Sequence, residues 1–165
     1  MYNLLDSDAP ISFILAFKSV ESRPGNTKSI FTALAFSKKN VIRGMHFQRK
    51  NKQTKIITVL SGKILDVSVN LRKKSKDFGK AFYFNMSKGD SVYIPNYYAH
   101  GYECLSKNAL ILYHLDNYRD VENECGIPFN DKFLKIKWRT NKPILSKRDK
   151  LHEDFLNFKK KIISL

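Results

Sequence analysis

The chain has 165 residues, 42% hydrophobic and 13% aromatic, with 30 Lys plus Arg against 15 Asp plus Glu and a net charge of +15. This length suits one domain, its apolar content exceeds that of disordered chains, and no apolar run approaches the roughly 20 residues of a membrane-spanning helix. Of the cations, 23 are Lys and seven are Arg, a balance that suits a soluble surface or a phosphorylated small molecule better than polymeric nucleic acid, where planar guanidinium forks dominate.

The first residues, MYNLLDSDAPISF, hold no basic segment followed by an apolar one, so no secretory leader is expected. Cys104 and Cys125 are too few for a disulfide scaffold and suit a reducing cytoplasm. Residues 11–17 and 30–36 are the first two expected strands. Short β-branched and aromatic runs follow at residues 55–59 (KIITV), 63–69 (KILDVSV), 81–85 (AFYFN), 91–94 (SVYI) and 109–113 (ALILY). Turn chemistry separates them: Ser61-Gly62, Lys76-Asp77-Phe78-Gly79, Lys88-Gly89-Asp90 and Pro95-Asn96. Strands so closely spaced, with no helical pattern between them, predict an antiparallel sandwich or barrel. Over residues 150–165, Leu151, Phe155, Leu156, Phe158, Ile162 and Ile163 recur at near-helical spacing and predict one amphipathic helix. The expected organisation is a single all-β domain: N-terminal strands over 1–40, a barrel over 41–140 and a helical tail over 141–165.

Of the histidines, His46 is expected just ahead of a strand and His100 at the start of one, facing a barrel interior; His114 and His152 fall in no motif and read as surface or structural. Gly89, five residues, Pro95, four residues and His100 resemble the second motif of the cupin barrels. A metal-dependent cupin needs a His-x-His pair and a carboxylate in its first motif. Here Gln48 stands two after His46, and no acid lies between His46 and Asp66. No metal centre is expected, and His46 is left to carry protons.

A longer series points further. Arg43-Gly44-Met45-His46-Phe47-Gln48, Gln53-Thr54-Lys55-Ile56, Gly62-Lys63-Ile64-Leu65-Asp66, Ala99-His100-Gly101-Tyr102, Ile136-Lys137-Trp138 and Leu145-Ser146-Lys147-Arg148-Asp149 succeed one another in order. Order and spacing resemble the dTDP-4-dehydrorhamnose 3,5-epimerase family over roughly residues 40–150. The resemblance implies a cupin (jelly-roll) barrel that epimerises a nucleotide-linked 4-keto sugar at C3, C5 or both, without a cofactor, as a homodimer. It also implies roles. His46 is the base, polarised by Asp149; Lys55 stands near the keto oxygen; Tyr113 is the acid on the opposite face of the ring. Arg43, Gln48 and His100 line the pocket, Arg148 meets the pyrophosphate, and Tyr118 lies where the family places aromatic rings. The chemistry is coherent, because protons flanking a ketone are acidic and inversion needs a base, an acid and a stabilised enolate.

Alone, each of these residues has a plainer meaning: Lys55 an edge lysine, Tyr113 a wall tyrosine, Asp149 an N-cap of the tail helix. Glu124 and Asp131 read as surface or turn carboxylates, and Asp66 as fold support. Two segments depart from the family. Glu21-Ser22-Arg23-Pro24-Gly25-Asn26 replaces an Asp-x-Arg-Gly-x-Phe segment, leaving Arg23 as a candidate phosphate contact, and Thr32-Ala33-Leu34-Ala35-Phe36 replaces a Gln-x-Asn strand. Altered nucleotide and sugar recognition is expected there. The competing readings are a sugar-nucleotide 3,4-ketoisomerase, against which Gln48 argues, and a non-catalytic sugar-binding cupin.

Overall fold

The computed structural model describes the backbone of residues 14–17, 21–22 and 28–163 and the side chains of residues 30–160. The strands are β1 (Ile14–Phe17), β2 (Glu21–Ser22), β3 (Lys28–Ser29), β4 (Phe31–Lys38), β5 (Ile42–Gln48), β6 (Lys55–Ser61), β7 (Lys63–Asn70), β8 (Ala81–Ser87), β9 (Ser91–Ile94), β10 (Tyr98–Cys104), β11 (Asn108–Leu115) and β12 (Glu124–Gly126). A 3₁₀ turn, Arg148–Lys150, and helix α1, Phe155–Ile163, complete the described chain. The strands expected at 30–36, 55–59, 63–69, 81–85, 91–94 and 109–113 all form, with ends shifted by a few residues. Of the first expected strand, residues 14–17 form β1 and residues 11–13 lie outside the described residues, as do 164–165 of the expected helix.

Two five-stranded sheets face each other, ordered β1-β4-β11-β6-β9 and β12-β5-β10-β7-β8, and every pairing within them is antiparallel. Consecutive β6 and β7 lie in different sheets, the crossover of a jelly roll. Gly62 makes this corner at φ +84, where a Cβ would strike the Asn108 carbonyl.

The interior is apolar at one end, packed with Ile57, Val59, Ile64, Met86, Ile94, Tyr102, Cys104, Ala109 and Ile111. A second core lies on the outer face of the β5-β10-β7 sheet. There Met45, Phe47, Leu65, Val67, Val69 and Ala99 pack under Ile127, Ile136, Phe155 and Phe158 of the C-terminal segment. Strand β7 is therefore buried on both faces. Beyond Ile64 its apolar side, Leu65, Val67 and Val69, turns out to the tail, while Asp66, Ser68 and Asn70 turn inward. An exposed sheet face would leave these side chains in water; covering it gains about 2–3 kcal/mol for each large apolar group. The tail is tied down as well as packed, since the buried Asp131 carboxylate accepts the Phe133 and Leu134 amides through Oδ1 and the first amide of α1, Phe155, through Oδ2. Asp131 is thus a buried anchor of the helix rather than a surface carboxylate.

Candidate active site

The site is built on an irregularity. In a regular strand, residues three apart face opposite sides, yet Arg43 and His46 both face the interior. The register explains it: His100 pairs with His46 and Tyr102 with Arg43, so two steps along β10 match three along β5. Gly44 absorbs the extra residue at φ +126, and a Cβ there would lie 2.5 Å from the Gly101 Cα, so glycine is required by both backbone and space. His46 thus sits within β5, not ahead of a strand as its flanking residues predict.

His46 Nε2 lies 2.6 Å from Asp149 Oδ1 across 103 residues of chain. Asp149 belongs to the 3₁₀ turn and is buried; it is not the N-cap of α1. Ser146 Oγ donates to its Oδ2 at 2.9 Å and accepts its backbone amide at 3.1 Å. Burial pushes the Asp149 carboxyl up, but hydrogen bonds from His152 and His46, the charge of His46 and the Ser146 hydroxyl together hold it far below the usual carboxylate range. Burial lowers the His46 imidazole below its ordinary value, and Asp149 partly restores it. The ring keeps 27% of its surface. With Nε2 engaged by the carboxylate, Nδ1 is the nitrogen left to take up a proton.

The opposing sheet contributes Lys55 and Tyr113. On β6 and β11, Lys55, Ile57 and Val59 and Ala109, Ile111 and Tyr113 share the inward side. Lys55 is buried, its Nζ 3.5 Å from the His46 carbonyl, and desolvation lowers its pKa to about 8 against the pull of Glu124 and Asp66. Tyr113 stands edge-on to His100 with ring centroids 6.2 Å apart. Its phenol is held well above its ordinary pKa by burial and by Tyr102 and Asp66 nearby, so it keeps its proton. His46 and Tyr113 therefore enter one interior from opposite sheets, with Lys55 beside them.

Between them, His100 Nε2 meets the fully buried Asp66 at 2.7 Å. Asp66 thus holds the His100 imidazole in place. Its Oδ1 and the Ser68 hydroxyl are buried without a protein partner. Arg43 Nε donates to Ser37 Oγ at 3.3 Å, and Ser37 is in turn 2.7 Å from the Tyr102 hydroxyl.

At the rim the expectations divide. Gln48, a candidate pocket residue, spends its carboxamide on backbone: Nε2 donates to Asn51 O at 2.6 Å and Oε1 accepts from Asp120 N at 2.9 Å. It fixes the loops that border the site. The Arg148 guanidinium is engaged by Glu124 at 2.5 Å, and Arg119 holds the same carboxylate at 2.6 Å. Glu124 is accordingly a charge-balancing group beside His46 and Lys55, not a free surface acid. Tyr118 is 48% exposed and edge-on to Phe31 at 6.0 Å. Arg23 lies outside the described residues. His114 is 3.2 Å from Thr32 Oγ1, a structural role. His152 is not a surface residue: it is largely buried, with Nε2 3.3 Å from Asp149 Oδ1. Its only signal in the sequence was the Asp149-x-x-His152 spacing, and nothing local ties that spacing to His46.

A jelly-roll barrel with His46 on one sheet, paired to Asp149 of the 3₁₀ turn, and a lysine and a tyrosine on the other sheet defines a cupin. The sequence profile of dTDP-4-dehydrorhamnose 3,5-epimerase matches residues 13–157, and the chain belongs to that family. It is 40% identical to the dTDP-4-dehydrorhamnose 3,5-epimerase of Salmonella typhimurium over 117 residues, 68% of this chain and 64% of that protein. It is 32% identical to a dTDP-4-dehydrorhamnose 3-epimerase of Streptomyces niveus, over 70% of this chain and 58% of the relative. The chain thus spans less than two thirds of the length of these relatives. Among solved structures, a dTDP-6-deoxy-D-glucose-3,5-epimerase of Legionella pneumophila in complex with dTDP-4-keto-L-rhamnose superimposes with a TM-score of 0.75 at 30% identity, covering 78% of this chain and 70% of that one.

Proposed function

We propose that this chain is an epimerase of a nucleotide-linked 4-keto-6-deoxy-hexose, acting without a cofactor and as a single cupin domain. The observation that carries the reading is that His46, paired to Asp149, and Tyr113 face one interior from opposite sheets. His46 Nδ1 takes the proton from the carbon flanking the ketone, and the electron pair moves onto the keto oxygen as an enolate. The developing imidazolium is stabilised by the ionised Asp149. Lys55 places a cation near the enolate oxygen; with a pKa of about 8 it is mostly protonated near neutral pH. Tyr113, kept protonated by burial, returns a proton to the carbon from the other face, which inverts the centre.

Arg43 and His100 hold the sugar in this reading, and Arg148 meets the pyrophosphate at the cost of its pairing with Glu124. A second copy of the chain completes the assembly. The outer face of the β4-β11-β6-β9 sheet presents half-buried Leu34, Ile56, Leu110 and Leu112 beside exposed Leu60 and Tyr93, a surface suited to self-association. Among the described residues no helix is long and apolar enough to cross a membrane, and the site of action proposed is the cytoplasm.

The test is proton NMR in heavy water with a panel of dTDP-4-keto sugars. Loss of the C3 signal, the C5 signal or both, dependent on His46, is the expected result and gives the regiochemistry. No exchange at either carbon with any substrate refutes the reading.

A further inference from the structure

The Asp149 carboxylate serves more than the pair that proton transfer needs. A His–carboxylate dyad requires one imidazole, and here two converge on the same oxygen: His46 Nε2 at 2.6 Å and His152 Nε2 at 3.3 Å from Oδ1. The three ligating atoms all lie within 4.8 Å of one another. The second imidazole is firmly placed. His152 follows the 3₁₀ turn and its cap Leu151, three residues after Asp149. The His152 ring also lies against Gly126 of β12, where an added Cβ would fall 2.3 Å from it, and edge-on to His46 at 5.3 Å. His152 is only 9% exposed, and Asp149 3%.

Two imidazoles and one carboxylate are the donor set of zinc and its neighbours, whereas magnesium and calcium favour all-oxygen sites. Tetrahedral zinc with ligand bonds near 2.0–2.2 Å sets its donors about 3.4 Å apart. The His152–Asp149 separation already matches this, and the His46–Asp149 separation needs to open by less than about 1 Å. The fourth position would be left to water or an incoming ligand, as in open zinc sites. This donor set differs from the cupin metal motif, which Gln48 interrupts.

We propose that His46, Asp149 and His152 form a binding site for a zinc-class divalent cation that blocks proton transfer when occupied. The metal takes the Nε2 lone pair of His46 and the Asp149 oxygen, the proton that Nε2 carried moves to Nδ1, and the base is left with no free lone pair to accept the substrate proton. The binding half stands on the donor geometry alone; the inhibitory half rests on the reading of His46 as base.

Two measurements on the full chain test the halves separately. In calorimetric titration of chelator-treated protein with Zn²⁺, and by the visible spectrum with Co²⁺, one ion binds per chain. His152→Ala and His152→Gln each weaken binding at least tenfold. The Gln variant can still donate to Asp149 but has no ring nitrogen for the metal, so its loss separates ligation from hydrogen bonding. Absence of saturable one-to-one binding, or unchanged affinity in both variants, overturns the site. In the second measurement, Zn²⁺ slows solvent deuterium exchange into the keto sugar at a concentration matching its Kd, a chelator restores the rate, and His152→Gln raises the inhibitory concentration at least tenfold. Full activity at saturating Zn²⁺ overturns the inhibitory half. A chain that exchanges no sugar proton even without metal refutes the epimerase reading, while the titration still decides the site.

Discussion

Replacing Asp149 with Asn removes one charge at the centre of the proposed chemistry and changes little else in shape. The lost group lies 2.6 Å from His46 Nε2. A hydrogen bond to a charged group is worth about 1.5–3 kcal/mol, which at about 1.4 kcal/mol per tenfold lowers the rate some 10–150-fold. An amide also presents an N–H as readily as a carbonyl and lets the ring take the wrong tautomer, an effect that brings the loss in serine proteases to about 10⁴. A fall of 10² to 10⁴ in the plateau rate of solvent deuterium incorporation is therefore expected for Asp149→Asn. The pH profile carries a second mark. Burial lowers the His46 pKa and Asp149 partly restores it; without the carboxylate the acidic limb moves to lower pH as the plateau drops. Stability follows a sign of its own. Because the Asp149 carboxyl lies far below its ordinary value in the folded chain, its stabilisation is present above about pH 4, the unfolded value, and is lost as pH falls below that. The variant should lack this part of the acid-induced loss in thermal unfolding. A wild-type plateau, or an acidic limb moving upward, refutes the dyad.

Lys55→Met is expected to abolish exchange while stabilising the fold. A fall from 10.5 to about 8 corresponds to roughly 3 kcal/mol of unfavourable burial at 1.36 kcal/mol per tenfold. For the same reason wild-type stability should rise between about pH 8 and 10 through this group, because there the unfolded chain binds the extra proton; denaturant melts showing Lys55→Met no more stable at pH 7 contradict the desolvation. Tyr113→Phe should retain deuterium exchange at the centre His46 reaches but slow formation of inverted product by about 10²-fold or more. Equal losses in both readouts would remove Tyr113 as the opposing acid. Phe155→Ala is expected to cost about 3–5 kcal/mol in chemical denaturation, the range for a large aromatic deleted from a core. A loss under 1 kcal/mol would show that the tail contributes little to the second core.

How far the fold could be read from the chain depended on the element. Strands β6, β7, β9 and β11 carry β-branched or aromatic runs bounded by Gly, Pro, Asn or Asp, and local preference alone placed them. Strand β5, with its internal Gly44, was missed because a glycine in a strand reads as a break. β12, three residues long, exists only because β5 offers it an edge. Inward and outward faces on β7 were not legible either, since alternation says that two faces differ and not which one a tail 85 residues later will cover.

It was the resemblance to the epimerase family, carried by motifs in order along the chain, that grouped His46, Lys55, Tyr113 and Asp149 as one set. Only the folded chain decided how they meet: the bulge that brings Arg43 and His46 to one side, the turn that carries Asp149 to His46, and the pairing of Glu124 with Arg148. Local sequence encodes backbone preference and periodicity. Partners separated by a hundred residues are selected by which sheets pair and which faces pack, and that selection is a property of the whole core.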